Sequence, residues 1–372
     1  MENTYSDSEE AAIYSELNKS YDSDDESNDI NSISSDLNNK LMKNKENIKS
    51  DNLEPLLTET QRYTLHPIQY PEIWDMFNKQ RTCFWIPSEV DLSKDKSDWE
   101  NKMSENERFF VKHILAFFAG SDGIVGVNIL DNFSKDVKIL EAQFTYSFQG
   151  TMEAIHSEMY SLMIETYIDD AVEKNLLFNA IEKIPCIAHK AQWALKWTEN
   201  TKTKSFAKRL LAFAIVEGLF FSGAFCSIYW IKQKGILPGL TKSNEFIARD
   251  ERLHTEFACL LYSMIKNRLS EKEVHDMIDE AVQIETEFIT KSLPVKLIGM
   301  NSDLMTQYIK YVADWLLTSL KYQKKYNVKN PFSFMNTIGM ESRSNFFDER
   351  ASTYQKAHVY NASKELTETD DF

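Results

Sequence analysis

The chain contains few residues that interrupt regular helices. Its 372 residues include only 10 glycines and 8 prolines, which is few for the many tight turns of a β-rich fold. Positive charge is also scarce: the net charge of −15 argues against a protein that binds nucleic acid through a basic surface. The cysteines form no Cys-x-x-Cys pair, which favours reduced core thiols in an intracellular protein over a disulfide framework: Cys83, Cys186, Cys226 and Cys259. No secretory signal is visible at the N-terminus, so we expect a cytoplasmic location.

One apolar run is long enough to cross a bilayer. Residues 210–231 read LLAFAIVEGLFFSGAFCSIYWI, with basic residues on both sides. Glu217 lies near the middle of this run, where lipid would penalise its charge. A helix buried on all sides in a large soluble protein has the same composition. We therefore expect a core helix and no membrane contact.

Composition divides the chain into three parts. Residues 1–58 are rich in polar and acidic residues, with 12 acids and 5 bases in the first 50, and are expected to form a disordered acidic tail. Residues 59–345 carry long helical patterns and are predicted to form one helical domain, and residues 346–372 a flexible C-terminal tail. The triplet Lys-Glu-Asn at 45–47 matches a degradation signal of cell-cycle proteins, but three residues match easily by chance, and the sequence alone favours a solvated tail.

The domain shows helical periodicity and no alternation of strands with helices. An all-α bundle is therefore the simplest fold. The pattern predicts helices at 72–80, 98–129, 134–164, 168–182, 184–199, 203–233, 241–266, 271–289 and 302–322.

Two of the seven histidines follow a glutamate by three residues. Glu153 and His156 form one Glu-x-x-His pair, and Glu251 and His254 form the second. Residues three apart on a helix share a face, so each pair presents a carboxylate and an imidazole together. A single such pair carries little information, because a paired core charge or a buried histidine gives the same pattern.

Two further acids lie on apolar helix faces. Asp122 has Leu115, Phe118 and Val125 as helical neighbours, and Glu217 lies in the apolar run. An ionised carboxylate there would be costly without a partner, and a metal ion is one such partner. An acid followed by Glu-x-x-His thus occurs twice, with separations of 31 and 34 residues. This order predicts a four-helix dimetal-carboxylate core, whose hard donors suit iron or manganese.

Tyr160 extends the first Glu-x-x-His face by one helical turn. It follows His156 by four residues, so its phenol is expected to lie beside the ligands. Phe221, Phe225 and Ile247 occupy positions from which they could enclose that phenol. A buried tyrosine usually serves only packing and one hydrogen bond. A tyrosine beside an oxygen-activating metal pair could instead be oxidised to a radical that is kept from water.

Several motifs together resemble the small subunit of class I ribonucleotide reductase, of the eukaryotic or viral type. The resemblance covers roughly residues 60–372. It is carried by TCFWIPSEVDLSKD (82–95), LAFFAGSDGIV (115–125), MEAIHSEMYSLMIETYI (152–168), VEGLFFSGAF (216–225), SNEFIARDERLH (243–254), NPFSFM (330–335) and NFFDER (345–350). It implies a ferritin-like bundle with two iron ions per chain, and manganese stays open as the metal.

The resemblance also implies roles for single residues. The metal ligands would be Asp122, Glu153, His156, Glu217, Glu251 and His254. Tyr160 would carry the radical, which His156, Asp250, Trp85 and finally Tyr354 would relay to a large subunit that reduces ribonucleotides. Apart from this resemblance, Trp85 is explained as a core aromatic and Asp250 as an ordinary acid beside Arg249.

The resemblance further implies a homodimer and a C-terminal tail that docks on the large subunit. The tail ends in LTETDDF, so Phe372 and its acidic neighbours match the docking peptide. Leu366 and Glu368 stand where the family often has an aromatic and an apolar residue, which leaves the affinity of the tail open.

Two other functions fit part of the pattern. A ferritin-like iron oxidase or storage protein would need the six ligands but not Tyr160, Trp85, Asp250, Tyr354 or the docking tail. A paralogue that only supports an active partner would be expected to have lost ligands, yet all six are present.

Overall fold

The computed structural model describes residues 54–58, 62–198 and 204–335. The described part of the chain is helical throughout, which confirms the predicted all-α class. Its α-helices of four or more residues are Pro55–Thr58 (α1), Pro71–Thr82 (α2), Asp95–Asn101 (α3), Glu105–Asn128 (α4), Leu140–Tyr167 (α5), Ala171–Phe178 (α6), Ala180–Lys183 (α7), Pro185–Thr198 (α8), Phe206–Ile215 (α9), Ser222–Lys232 (α10), Pro238–Met264 (α11), Glu271–Glu287 (α12) and Ser302–Ser319 (α13).

Several predicted helix boundaries differ from the structure, and two of them have a clear local cause. The predicted helix 98–129 is divided, because Ser104 caps α4: its Oγ accepts from the backbone N–H of Glu107, whose carboxylate accepts from the backbone N–H of Ser104. The helix predicted to begin at 134 begins at Leu140, because Val137 has an extended backbone that ends the preceding helical segment.

Within the described residues, three π-helical turns extend or interrupt the long helices. They span Ile129–Phe133, Val216–Phe220 and Phe288–Ser292. The second joins α9 to α10 and contains Glu217. Hydrophobic periodicity cannot reveal a single inserted residue, and such insertions are often found at functional sites.

The core is built by two pairs of long helices. Helix α4 packs along α5, α9 and α10 pack along α11, and α11 also contacts α5. Two described stretches, Glu105–Asp136 and Phe206–Lys232, are long and apolar enough to cross a bilayer. However, 94% of the most apolar part of Phe206–Lys232 is buried within the structure, as expected for a core helix.

Part of the segment assigned to the N-terminal tail contacts the domain. The Glu54 carboxylate accepts hydrogen bonds from the backbone N–H groups of Lys266 and Asn267, and Leu56 is buried. The rest of the proposed tail and residues 336–372 lie outside the described residues, so the three-part division stays a prediction.

A buried carboxylate holds the N-terminus of α11. Asp95 accepts hydrogen bonds from the backbone N–H groups of Gly239 (2.8 Å) and Leu240 (2.7 Å), and from the Tyr167 hydroxyl (2.7 Å). The carboxylate therefore satisfies N–H groups that the helix itself leaves free, at its positive end. Because α11 carries Glu251 and His254, this contact also sets where both side chains lie.

We expect Asp95→Asn to lower the free energy of unfolding by about 2 kcal/mol. The amide nitrogen of asparagine would replace one carboxylate oxygen and would face N–H or O–H groups that now donate hydrogen bonds to that oxygen. Urea denaturation measures this change. Asp169→Asn is the control, since Asp169 is exposed in its ion pair with Lys96 and should change stability by no more than about 0.5 kcal/mol. Equal losses in the two variants would contradict the role given to Asp95.

Candidate metal centre

Four helical segments bring the six predicted ligands together. Asp122 lies on α4, Glu153 and His156 on α5, Glu217 on the π-turn Val216–Phe220, and Glu251 and His254 on α11. Each of these side chains is buried, with at most 2% of the residue exposed. The local spacing of each Glu-x-x-His pair and the packing of α11 on α5 place both pairs in one site.

The ligand atoms form two overlapping groups. In one group, atoms of Glu153, Glu217, Glu251 and His254 lie within 4.8 Å of one another, and the other joins Asp122, Glu153 and His156 within the same limit. Glu153 belongs to both groups. Glu251 also reaches both imidazoles, with Oε1 2.9 Å from His156 Nδ1 and Oε2 3.2 Å from His254 Nδ1. Glu153 and Glu251 are thus the two carboxylates that lie close to ligand atoms of both groups.

Many ligand atoms of the cluster make no well-directed hydrogen bond to the described residues, although Glu251 Oε1 and His156 Nδ1 lie 2.9 Å apart. These buried atoms are Asp122 Oδ2, both carboxylate oxygens of Glu153 and of Glu217, Glu251 Oε1 and His156 Nδ1. Buried polar atoms without partners are rare and costly in proteins. Four carboxylates and two imidazoles would satisfy two hard divalent cations, so the residues present fit a dimetal site.

The environment of the cluster raises the pKa values of two of its carboxyl groups and of both its imidazoles. Burial, reinforced by the neighbouring carboxylates, raises the pKa of Asp122 and of Glu217 well above the usual value. Burial alone would lower the pKa of His156 and His254, but the carboxylates raise the pKa of both imidazoles. In the absence of metal, these groups therefore hold their protons to a higher pH than isolated side chains do.

We expect metal binding to release protons, because an ion must displace them from the raised carboxyl and imidazole groups. The affinity for a divalent ion should therefore increase as the pH rises from about 6 to 8, because a lower proton concentration favours the release of these protons. Calorimetric titration in two buffers with different ionisation enthalpies counts the released protons. A binding enthalpy independent of the buffer would contradict this expectation.

Aromatic rings surround Tyr160 on the side of α4 and α10. The Phe118 ring stacks on the Tyr160 ring, with centroids 4.7 Å apart and planes at 8°. Phe225 stacks on Phe118 at 4.9 Å, and Phe221 meets Phe118 edge-on at 5.7 Å. The Tyr160 hydroxyl has no hydrogen-bond partner among the described residues, and burial raises its pKa well above 10, so the phenol keeps its proton.

Phe118 is a contact that sequence reasoning missed. It was recognised only as part of the apolar face of Asp122, which it precedes by four residues on α4. That spacing was the available signal, since residues four apart share a face. Phe221 and Phe225, which were expected around the phenol, reach it through Phe118. Ile247 is buried as expected.

A line of hydrogen bonds leads from the cluster to Trp85. Asp250 Oδ2 lies 3.2 Å from His156 Nε2 and accepts from Trp85 Nε1 at 2.7 Å. Although burial opposes its charge, Arg249, His156 and Trp85 together hold the pKa of Asp250 below its usual value. The His156 ring thus presents Nδ1 to the cluster and Nε2 to an ionised carboxylate, which fixes its orientation.

Arg249 is the second residue that sequence reasoning undervalued. Its guanidinium donates to Asp250 Oδ1 at 3.0 and 3.1 Å and to the backbone carbonyl of Cys83 at 2.6 Å. Arg249 therefore ties α11 to the segment that carries Trp85. The positions Tyr354 and Phe372 lie outside the described residues.

A cavity of about 350 Å³ adjoins one side of the cluster. Its lining includes the predicted ligands Glu217 and Glu251, together with Phe225, Tyr311 and Trp315. Tyr160 is not among its lining residues. Both carboxyl-bearing residues therefore border the cavity, whereas Tyr160 is connected to its lining through the stacked rings of Phe118 and Phe225.

The helical bundle with its buried carboxylates and imidazoles defines a dimetal-carboxylate protein of the ferritin-like class. Residues 62–331 match the family model "Ribonucleotide reductase, small chain". The sequence is 55% identical over 307 residues to a ribonucleoside-diphosphate reductase small chain of Arabidopsis thaliana, a match that covers 82% of this chain and 92% of that protein. This chain therefore belongs to the ribonucleotide reductase small-chain family.

Two further comparisons agree with this assignment. The small chain of Variola virus is 52% identical over 308 residues, which cover 82% of this chain and 96% of the viral protein. Among solved structures, the Rnr4 homodimer from Saccharomyces cerevisiae matches with a TM-score of 0.74 and 34% identity, over 87% of this chain and 99% of that chain.

Proposed function

We propose that this chain is the radical-generating small subunit of ribonucleoside-diphosphate reductase, which acts only with a large subunit. Family membership supports the reaction. The single observation that carries the radical role is the hydrogen-bonded line from His156 through Asp250 to Trp85, which leads away from the ligand cluster. An iron store has no need of such a line.

The six clustered side chains are proposed to hold two iron ions. Asp122 and His156 would serve one ion, and Glu217 and His254 the other, with Glu153 and Glu251 between them. When bound, the iron pair supplies the oxidising power, drawn from dioxygen, that removes one electron and one proton from a nearby phenol. Manganese accepts the same hard donors, and metal analysis of the purified protein distinguishes the two.

Tyr160 is the phenol proposed to be oxidised. It lies on the same face of α5 as Glu153 and His156, stays protonated before oxidation, and packs against Phe118. The aromatic packing excludes water from the ring, which would lengthen the life of an oxidised tyrosine. The proton that leaves the hydroxyl would pass to the ligand cluster, where carboxylates face it.

The proposed relay uses Asp250 as the link between two rings. Asp250 accepts hydrogen bonds from the His156 and Trp85 nitrogens, so an electron moving along this line could be accompanied by a short proton shift. Beyond Trp85 we propose Tyr354 as the last relay residue of this chain, and Phe372 as part of the tail that docks on the large subunit.

Assembly and location are proposed on separate grounds. A solved relative is described as a homodimer, and we propose that this chain also forms one. A cytoplasmic location agrees with the reduced thiols of Cys226 and Cys259. The proposed division is a tail at 1–58, the helical domain at 59–345 and a docking tail at 346–372.

Electron paramagnetic resonance tests the radical function directly. The wild type and Tyr160→Phe are loaded with ferrous iron without oxygen, exposed to oxygen, and measured for bound iron and tyrosyl signal. We expect both proteins to bind about two irons, the number of ions that such a four-carboxylate site holds, and only the wild type to give the signal. Iron oxidation with no Tyr160-dependent signal would instead favour a ferritin-like oxidase.

A further inference from the structure

A buried ion pair outside the metal centre has no role in the proposed chemistry. Lys190 on α8 lies with Nζ 2.6 Å from Glu285 Oε2 on α12, and both residues are at most 1% exposed. Removing two charges from water is expensive, and apolar residues of similar volume often stabilise a core as well. A pair kept at such a position is therefore poorly explained by stability alone.

Both partners bind the backbone of the segment that carries Glu217. Lys190 Nζ donates to the Phe220 carbonyl at 2.6 Å, and Phe220 is the last residue of the π-turn. Glu285 Oε1 accepts from the backbone N–H of Gly223 at 3.2 Å, in the first turn of α10. The pair is thus hydrogen-bonded to the backbone on both sides of the point where the π-turn returns to an α-helix.

Gly223 is required for the hydrogen bond from its backbone N–H to Glu285. A Cβ atom at position 223 would lie 2.6 Å from Glu285 Oε1, closer than a carbon and an oxygen can approach. Only a residue without a side chain lets the carboxylate reach the backbone N–H.

The same ammonium group contacts the aromatic cluster around Tyr160. Lys190 Nζ lies 3.8 Å from the centre of the Phe117 ring, at a distance typical of a cation–π contact. Phe117 packs edge-on against Phe221 at 5.7 Å, and Phe221 contacts Phe118, which stacks on Tyr160. The ion pair is therefore linked to the ligand Glu217 through the backbone and to the phenol through rings.

We propose that Lys190 and Glu285 are positioning residues that fix the register of the π-turn, and so direct Glu217 to the metal ions and Phe221 toward the aromatic cluster around Tyr160. The proposal rests on the proposed metal-binding function of the cluster. A π-turn holds one residue more than an α-helical turn, so a shift of that extra residue along the helix would rotate side chains by about 100°. The hydrogen bonds from Lys190 to Phe220 and from Gly223 to Glu285 oppose such a shift.

The test separates positioning from ordinary stabilisation. In the double variant Lys190→Met/Glu285→Leu, apolar side chains of similar volume replace the pair, which removes the cost of burying two charges. The Phe220 carbonyl and the Gly223 N–H lose these partners, so the metal-free melting temperature is expected to fall while the protein stays folded, and metal binding is compared at a temperature where both proteins are folded. Titration with Co²⁺ then reports on the site, through its affinity and its visible absorption. We expect the variant to bind Co²⁺ about 10- to 100-fold more weakly and with an altered spectrum.

The matched control joins the same two helices at the surface. Lys196 and Glu280 form an exposed ion pair between α8 and α12, with 3.5 Å between Nζ and Oε1. Lys196→Met/Glu280→Gln should leave both the affinity for Co²⁺ and the spectrum unchanged. The control therefore shows whether the loss of any ion pair between α8 and α12 affects the metal site, or only the loss of the buried pair Lys190–Glu285.

A folded Lys190→Met/Glu285→Leu variant with wild-type Co²⁺ affinity and spectrum would overturn the proposal. If that variant does not melt cooperatively, Glu285→Gln is titrated instead, since it keeps the acceptor for Gly223 but loses the ion pair, and wild-type behaviour there has the same meaning. Failure of the wild type to bind Co²⁺ would instead reject the proposed metal centre, and the positioning role with it.

Discussion

Asp250→Asn is expected to lower reductase turnover per radical by about 100-fold, the upper range for loss of a residue that orients a metal ligand. The cause is the position of Asp250, whose Oδ2 meets both the His156 and the Trp85 nitrogens. An asparagine side chain can offer its oxygen or its amide group there. Because the amide is not a base and cannot accept both N–H groups well, the link between the two rings would be broken.

The measurement separates radical formation from radical use. The variant is assembled with saturating iron and oxygen, its tyrosyl signal is counted, and nucleotide reduction with the large subunit is divided by that count. Glu256→Gln is the control on the same helix, because Glu256 pairs with Arg252 at the surface. A variant Asp250→Asn with normal turnover per radical would remove Asp250 from the relay.

Glu217→Gln is expected to abolish tight metal binding and leave the metal-free protein as stable as the wild type. Burial raises the pKa of Glu217 well above its usual value, so the metal-free wild type holds this proton to a higher pH than an isolated carboxyl does, and the comparison is made at a mildly acidic pH that favours the protonated form. Glutamine has nearly the same shape and polarity as a protonated carboxyl. The metal-free free energies of unfolding should therefore agree within about 0.5 kcal/mol, as for a substitution that breaks no contact.

Metal-induced stabilisation reveals the loss. At a free metal concentration 100 times the Kd, a bound ion stabilises the wild type by about 2.7 kcal/mol, and an affinity about 100-fold weaker reduces this gain to about 0.4 kcal/mol. Denaturation with and without ferrous iron under argon measures both values. Glu158→Gln, on an exposed position of α5, is the control. Equal gains in Glu217→Gln and the wild type would show that Glu217 is not a ligand.

The parts of the site that depend on local spacing could be predicted from the sequence. Glu153 and His156 share a face because they are three residues apart, and the same holds for Glu251 and His254. Tyr160 follows from the same periodicity. The all-α class followed from the scarcity of glycine and proline together with long helical patterns.

Contacts between distant segments could not be predicted in this way. The stacking of Phe118 on Tyr160 depends on how α4 meets α5, and the bond from Arg249 to the Cys83 carbonyl depends on a loop. The π-turn at Val216–Phe220 is invisible to periodicity, because one extra residue in a uniformly apolar run leaves the pattern unchanged. The resemblance to a known family supplied roles for these segments but not their geometry.

Phe225 has a consequence for how long the protein can store oxidising power. One face of this ring borders the cavity that reaches Glu217 and Glu251, and the ring also stacks on Phe118, the neighbour of Tyr160. Two stacked rings, Phe225 and Phe118, therefore connect the lining of the cavity to the phenol. If Tyr160 is oxidised as proposed, the lifetime of its radical then depends on how these two rings pack, and not only on the six groups proposed to bind metal.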